Sequence, residues 1–311
     1  MTTPADDPNR DLGLGSRLAQ GSGARFLNRD GSFNVVRLGL PFLRSLNLYH
    51  ALITMPWRAF FGVVAVFYLV LNLCFASAYL AVGPGALEGS LGITSAERFS
   101  QAFFFSVQTF ATIGYGVIHP KGLAANLLVT LEALVGLMSL ALATGILFAR
   151  FSRPQARILF SRIAVVAPYR GITGLMFRIA NERSSQMIEV EAKLNLSRKE
   201  VVEGKPTRRF HPLRLERDKV NFFPLHWVIV HPIDETSPLY GVTKPEFDAS
   251  DAELLVLLSA VDETFSELVH ARTSYKFPEV EWGVRFRDMF VQSGASQVAI
   301  DMRRLNEVEK P

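Results

Sequence analysis

Two long apolar runs constrain this chain more than any other feature. Phe60 to Val82 carries no charged residue and is interrupted only by Asn72 and a few Ser and Tyr; Leu123 to Ala149 carries a single charge, Glu132. Each is longer than the roughly 20 residues needed to cross about 30 Å of hydrocarbon as a helix. The alternative is a buried helix of a soluble protein. Soluble helices of this length normally show a polar face, and neither run has one. The chain is therefore expected to cross a membrane twice.

Between the two runs, Ala96 to Ala111 is apolar and aromatic but too short to span. Thr94 and Ser95 precede it with Glu97 close behind, the pattern of a helix start. It leads straight into Thr112-Ile113-Gly114-Tyr115-Gly116. Irregular backbone at membrane depth is tolerated only when buried in protein or lining a water-filled cavity. A chain can aim consecutive carbonyls one way only by alternating backbone handedness, and Gly114 and Gly116 reach positive φ at little cost. Ile113 and Tyr115 are expected to pack behind such a strand, with Thr112 adding a hydroxyl oxygen at its inner end. A strand ending in a Gly-rich turn is the alternative. The pentapeptide resembles the filter loop of potassium channels, whose carbonyl rings replace the hydration shell of the ion. The expected order is outer helix, pore helix, filter, inner helix.

Flanking charge sets the orientation. Arg25, Arg29, Arg37, Arg44 and Arg58 precede the first span, and Arg150, Arg153, Arg157 and Arg162 follow the second. The segment between is balanced: Glu88 and Glu97 against Arg98 and Lys121. By the positive-inside rule both termini are expected in the cytoplasm, with the filter outward. The net charge of +4 is thus concentrated beside the membrane, and a nucleic-acid partner is not expected. Residues 1–34 contain no apolar core of a cleavable signal. The single cysteine, Cys74, excludes an intrachain disulfide and a multi-cysteine metal site. No Walker loop, GxGxxG or GxSxG is present, so neither an enzyme nor a cofactor is expected.

From Pro154 onward the texture changes to short alternating stretches bounded by Gly, Pro, Asn and Asp. Strands are expected over 162–167, 174–180, 187–196, 227–231, 253–260, 265–271 and 280–291. That spacing, without strand-then-helix alternation, predicts an all-β sandwich and argues against a doubly wound regulatory domain.

Several segments are more specific. Asn28-Arg29-Asp30-Gly31-Ser32-Phe33-Asn34 and Arg37-Leu38-Gly39 precede the membrane, and Ala149-Arg150-Phe151-Ser152-Arg153-Pro154 follows it. Further on come Arg208-Arg209-Phe210-His211, His231-Pro232-Ile233-Asp234, Ser237-Pro238-Leu239-Tyr240-Gly241 and Ala271-Arg272-Thr273-Ser274-Tyr275. Over roughly residues 25 to 292 the chain resembles the prokaryotic inward-rectifier potassium channels, the KirBac family. The resemblance implies an α+β membrane protein: two transmembrane helices with a re-entrant pore helix and selectivity filter, then an immunoglobulin-like β-sandwich in the cytoplasm. The implied division is a cytoplasmic N-terminal segment (1–40), an amphipathic slide helix (41–56), a pore domain (57–153) and the β domain (154–311). In the slide helix, Phe42, Leu46, Tyr49 and Ile53 can face lipid while Arg44 and Asn47 face headgroups. The implied assembly is a homotetramer in the bacterial inner membrane. It would conduct potassium passively, without a voltage sensor, under the influence of anionic lipids and possible polyamine or divalent blockers.

On the inner helix, Gly136, Leu140, Thr144 and Phe148 recur at i+4 and drift slowly around one face. Leu140 stands where strong rectifiers of the family carry an acid, and Phe148 at the family's bundle crossing. Gly136 and Gly145 can bend the helix or allow close packing. Intramembrane carboxylates are costly and functional by default, so Glu132 is expected to brace the filter through the pore helix. Gln108 stands where many relatives place a carboxylate. Arg150 and Arg153 fall where eukaryotic relatives bind phosphoinositides. Glu189 and Glu263 align with acids of the cytoplasmic vestibule. His211, His231 and His270 can titrate near neutral pH, unless buried and hydrogen-bonded. Other readings are a two-helix channel with an unrelated β sensor, a subunit of a potassium uptake transporter, and a membrane-anchored β-domain protein without a pore.

Overall fold

The computed structural model describes residues 25–35, 47–90, 92–153, 157–182, 187–202, 204–223, 225–292 and 298–310. They form two units. One is residues 38–153; the other joins the chain up to residue 37 with everything from 154 onward.

The first unit is helical. α1 (Leu48–Thr54) is capped by Asn47, whose side chain accepts the His50 N–H at 3.0 Å. Asn47 thus serves as a helix cap, where the sequence placed it on a headgroup-facing side. Of the other expected slide-helix positions, Tyr49 on α1 is exposed and Ile53 half-buried, while Phe42, Arg44 and Leu46 lie outside the described residues. α2 (Trp57–Val82) and α4 (Gly122–Phe151) are long and apolar enough to cross a membrane, with mean hydropathies of 2.3 and 2.0. α3 (Ser95–Phe110) lies between them in sequence. It begins with a reciprocal cap: the Thr94 hydroxyl accepts the Glu97 N–H at 3.2 Å, and the Glu97 carboxylate accepts the Thr94 N–H at 2.9 Å. A small core of Ala76, Tyr79, Ala102 and Phe105 joins α2 to α3. A two-stranded ladder, β1 (Leu87–Glu88) with β2 (His119–Pro120), ties the end of the outer loop to the chain leaving residues 112–116.

The second unit is a sandwich of two five-stranded sheets. The first contains β6 (Met187–Val202), β7 (Lys205–Leu213), β8 (Lys219–Phe222), β10 (Glu253–Asp262) and β11 (Glu267–Lys276). The second contains β3 (Ile158–Phe160), β4 (Ala164–Tyr169), β5 (Ile172–Asn181), β9 (His226–Ile233) and β12 (Val280–Trp282). Among the described residues, β12 and β4 alone pair in parallel. Alternate residues point inward, as a half-buried strand requires. Leu254, Val256, Leu258 and Ala260 of β10 meet Leu175, Phe177 and Ile179 of β5 in one core.

The expected strands all appear and run on past their expected ends, but those expected from 162 and 265 begin two residues later, at Ala164 and Glu267, and 280–291 breaks into β12, β13 (Arg285–Phe286) and β14 (Phe290–Gln292). β3, β7 and β8 were not expected. In β7, Pro206 and the pair Arg208-Arg209 obscure the alternation. Arg208 points inward all the same, 3% exposed, where it pairs with Asp251 and stacks on the Phe26 ring. Burial pushes the Asp251 carboxyl up, but Lys276, Arg208 and Lys199 outweigh it and hold the group below the usual carboxylate range.

The expected division of the chain needs one change. Residues 25–35 are not a separate N-terminal segment but part of the β unit. Phe26 and Leu27 are buried, and their N–H groups donate to the buried Glu253 carboxylate at 3.1–3.3 Å. Arg25 and Arg29 both pair with Glu279. Burial pushes the Glu279 carboxyl up, yet Arg25, the Lys276 N–H and Arg29 hold it below the usual range. These two arginines, counted above toward the cytoplasmic flank, therefore have protein partners.

The His231-Pro232-Ile233-Asp234 segment is a joint. His231 is 2% exposed; its Nδ1–H donates to the Arg214 carbonyl at 2.6 Å, so Nε2 accepts from the Ser237 hydroxyl at 2.7 Å. Burial pushes the imidazole down, against the opposing pull of the Arg214 carbonyl and Asp234. The neutral ring is the folded form. Its contribution is complete above the ordinary imidazole value of about 6.5 and is lost as pH falls below it. Melting of the full-length protein in detergent is expected to weaken below that pH. His231→Gln is expected to flatten the slope; equal slopes in both proteins contradict the assignment.

Candidate functional site

The segment 112–116 has the alternating backbone its sequence predicts. Gly114 lies at φ +57° and Gly116 at φ +82°. A third positive φ was not expected: Thr112, β-branched, sits at +57°. Such a residue is an outlier that its surroundings must hold in place. Two hydrogen bonds to the last turn of α3 do so. Thr112 N–H donates to the Thr109 carbonyl at 3.0 Å, and Ile113 N–H to the Gln108 carbonyl at 2.7 Å. The pore helix thus hands its last carbonyls to the start of the strand, which runs on with every second residue left-handed.

The side chains of the segment are open. Ile113 is 49% and Tyr115 74% exposed, so neither packs behind the strand within its own chain. Each residue from Thr112 to Gly116 is exposed.

Glu132 is fully buried on α4 and reaches the pore helix through Ser106. Its second oxygen accepts from the Tyr79 hydroxyl of α2 at 2.5 Å. Ser106 also bonds Asn72 Oδ1 at 3.0 Å, and Asn72 Nδ2 donates to the Tyr68 carbonyl at 2.8 Å. Asn72, Ser106 and Tyr79 were not anticipated. Asn72 and Tyr79 stand two turns apart, on one face of an otherwise apolar helix, and that spacing was the available signal. Gln108 is half-buried, and none of these bonds goes to it; its backbone carbonyl holds Ile113.

Further along α4, Gly136 is buried, and a Cβ there would lie 2.9 Å from the Phe110 carbonyl. Close approach to the end of the pore helix accounts for this glycine. α4 runs unbroken through Gly136 and Gly145, and Gly145 has open space around it. Leu140, Thr144 and Phe148 are exposed.

Arg150, one residue before the end of α4, has protein partners. Its guanidinium donates to the carbonyls of Leu52 and Met55, the latter at 2.7 Å, and lies over the rings of Trp57 and Phe60 at 4.5 and 4.6 Å. It clamps the end of α1 and the start of α2 to the end of α4. Arg153 is exposed.

Glu189 and Glu263 come to the same end of one sheet. Asp262, just before Glu263, pairs with Met187, two residues before Glu189. Both acids are exposed. Glu189 sits in a bulge opposite Ser259–Val261 at φ +53° and pairs with Lys219 at 2.9 Å, a contact that partly offsets its charge. His211 meets Glu200 at 2.7 Å, and His270 meets Ser259 at 3.1 Å.

Comparison with known proteins identifies the family. An ion channel family model matches residues 63–153, and a model of the inward rectifier potassium channel C-terminal domain matches residues 158–311. The inward rectifier potassium channel Kirbac3.1 of Paramagnetospirillum magnetotacticum is 44% identical over 286 residues, covering 91% of this chain and 95% of that one. Inward rectifier potassium channel 18 of Homo sapiens is 27% identical, covering 89% of this chain and 69% of that one. ATP-sensitive inward rectifier potassium channel 12 of Mus musculus is 28% identical, with 89% and 70% covered. The homologues are ion channels and not enzymes, and the two apolar helices match a membrane location. This chain belongs to the inward rectifier potassium channel family.

Proposed function

We propose that the chain works as a homotetramer in a bacterial inner membrane, with both termini in the cytoplasm, and conducts potassium passively through Thr112 to Gly116. The observation that carries this reading is the left-handed backbone at Thr112, Gly114 and Gly116. It aims successive carbonyls at a common line, while one chain supplies only one side of it. Four copies around an axis complete the oxygen cage that replaces an ion's hydration shell. They also give Ile113 and Tyr115, open in a single chain, neighbours to pack against. Potassium uptake into vesicles holding the purified protein, blocked by barium, tests it. Sodium and potassium entering at equal rates overturns it.

Leu140, Thr144 and Phe148 line the inner cavity in this reading, with Phe148 as the narrowest ring. Glu132 steadies the pore helix. Glu189 and Glu263 face the cytoplasmic entrance and raise the local cation concentration. Gly145, free of packing neighbours, is the better candidate for a bend of α4, since contact explains Gly136. Anionic lipid acts at the inner membrane face through Arg153. It acts through Arg150 only where a headgroup replaces the carbonyls of Leu52 and Met55.

Polyamine block is weak in this reading because Leu140 is uncharged. Leu140→Glu places a ring of carboxylates in the cavity and is expected to strengthen spermine block and steepen its voltage dependence. Unchanged block in voltage-clamped bilayers means that Leu140 does not face the pore.

A further inference from the structure

Asn72, Ser106 and Glu132 are the buried polar side chains of the membrane unit among the described residues, and the hydroxyl of buried Tyr79 joins them. Three oxygen-to-oxygen contacts link them: Asn72 Oδ1 with Ser106 Oγ, Ser106 Oγ with Glu132 Oε1, and Glu132 Oε2 with Tyr79 Oη. Each contact needs one proton. The Ser106 and Tyr79 hydroxyls supply one each. The Asn72 amide supplies none: its NH2 is turned to the Tyr68 carbonyl at 2.8 Å, which fixes the oxygen as the end facing Ser106. Two protons cannot satisfy three contacts.

We infer that Glu132 carries the third proton, as a neutral carboxylic acid, and that Asn72 and Tyr79 are positioning residues for the filter. The chain of donors then closes. The Glu132 acid donates to Ser106, Ser106 donates to Asn72, and Tyr79 donates to the remaining carboxyl oxygen. Surroundings agree. Among the described residues, the ion pairs of the membrane unit are confined to Glu88 with His119 and Lys121. A buried carboxylate without a cation is far costlier than a neutral acid with every contact satisfied. The filter then has a fixed dipolar strut beside its pore helix in place of a charge. This deepens the reading of Thr112 to Gly116 as the filter and rests on it.

Infrared spectra of the full-length protein in lipid vesicles test the proton directly. The wild type is expected to keep the carbonyl stretch of a protonated acid at neutral and mildly alkaline pH. Glu132→Gln removes that band and Tyr79→Phe shifts it. A wild type without the band, or a band that neither variant touches, overturns the neutral acid. Glu132→Gln, which can both donate and accept, is expected to hold the potassium-to-sodium permeability ratio near wild type, whereas Glu132→Ala lowers it. Equal loss in both overturns the proposal. If Glu132→Gln fails to assemble, the wild-type and Tyr79→Phe spectra decide. Tyr79→Phe and Asn72→Leu each strand one buried partner, and the expected fall in the ratio is roughly tenfold; an unchanged ratio removes their positioning role. Wild-type potassium flux tests the filter reading separately, so the two can fail independently.

Discussion

Gly114→Ala is expected to abolish potassium selectivity, and with it most conduction, while the protein still assembles. A Cβ at Gly114 meets nothing within 4 Å, so the penalty is in the backbone. The residue lies at φ +57°, where an L side chain costs roughly 1–2 kcal/mol. In a tetramer that cost falls on four filters at one level of the ion path. The strand relieves it by turning a carbonyl off the axis, and the ring loses an oxygen plane. Potassium and sodium flux into vesicles reads the result, with cross-linking to confirm assembly. Wild-type selectivity in this variant refutes the filter assignment.

Phe148→Ala is expected to raise basal flux and blunt the response to anionic lipid. Phe148 is 72% exposed on α4, two residues before Arg150. A ring of apolar side chains disfavours water, and so ions, without sealing sterically. A loss of about 1.4 kcal/mol of closed-state preference multiplies the open population of a mostly closed channel about tenfold. Flux at fixed protein density, with and without anionic lipid, measures both effects. Unchanged values place the gate elsewhere.

What the sequence made legible was what a solvent imposes. A bilayer demands uniform apolar length, so α2 and α4 could be read within a few residues of their ends. The left-handed backbone at Gly114 and Gly116 was readable because glycine reaches positive φ cheaply. Thr112 escaped that logic: it is held at positive φ by the end of the pore helix, a tertiary cause. Long-range pairs were hidden throughout. Arg208 reads as an exposed basic residue until Asp251 arrives from 43 positions away. Tyr79, Asn72 and Ser106 read as incidental interruptions of apolar runs because their partner, Glu132, lies on another helix. Arg150 read as a surface charge for lipid, since nothing local shows that the carbonyls of Leu52 and Met55 end beside it.

The docking of residues 25–35 also orders events at the ribosome. Synthesis runs from the N-terminus, and the partners of Arg25, Phe26 and Leu27 lie 226 to 254 positions later, at Glu253, Ser274 and Glu279. Until those residues emerge, the start of the chain has nowhere to bind and both membrane helices are already made. The buried Glu253 carboxylate waits in turn for the amides of Phe26 and Leu27. The β sandwich is therefore completed by a segment made before both membrane helices. A product truncated before Glu253 leaves the amides of Phe26 and Leu27 and the guanidinium of Arg25 without these partners, an apolar, arginine-bearing segment that cannot dock.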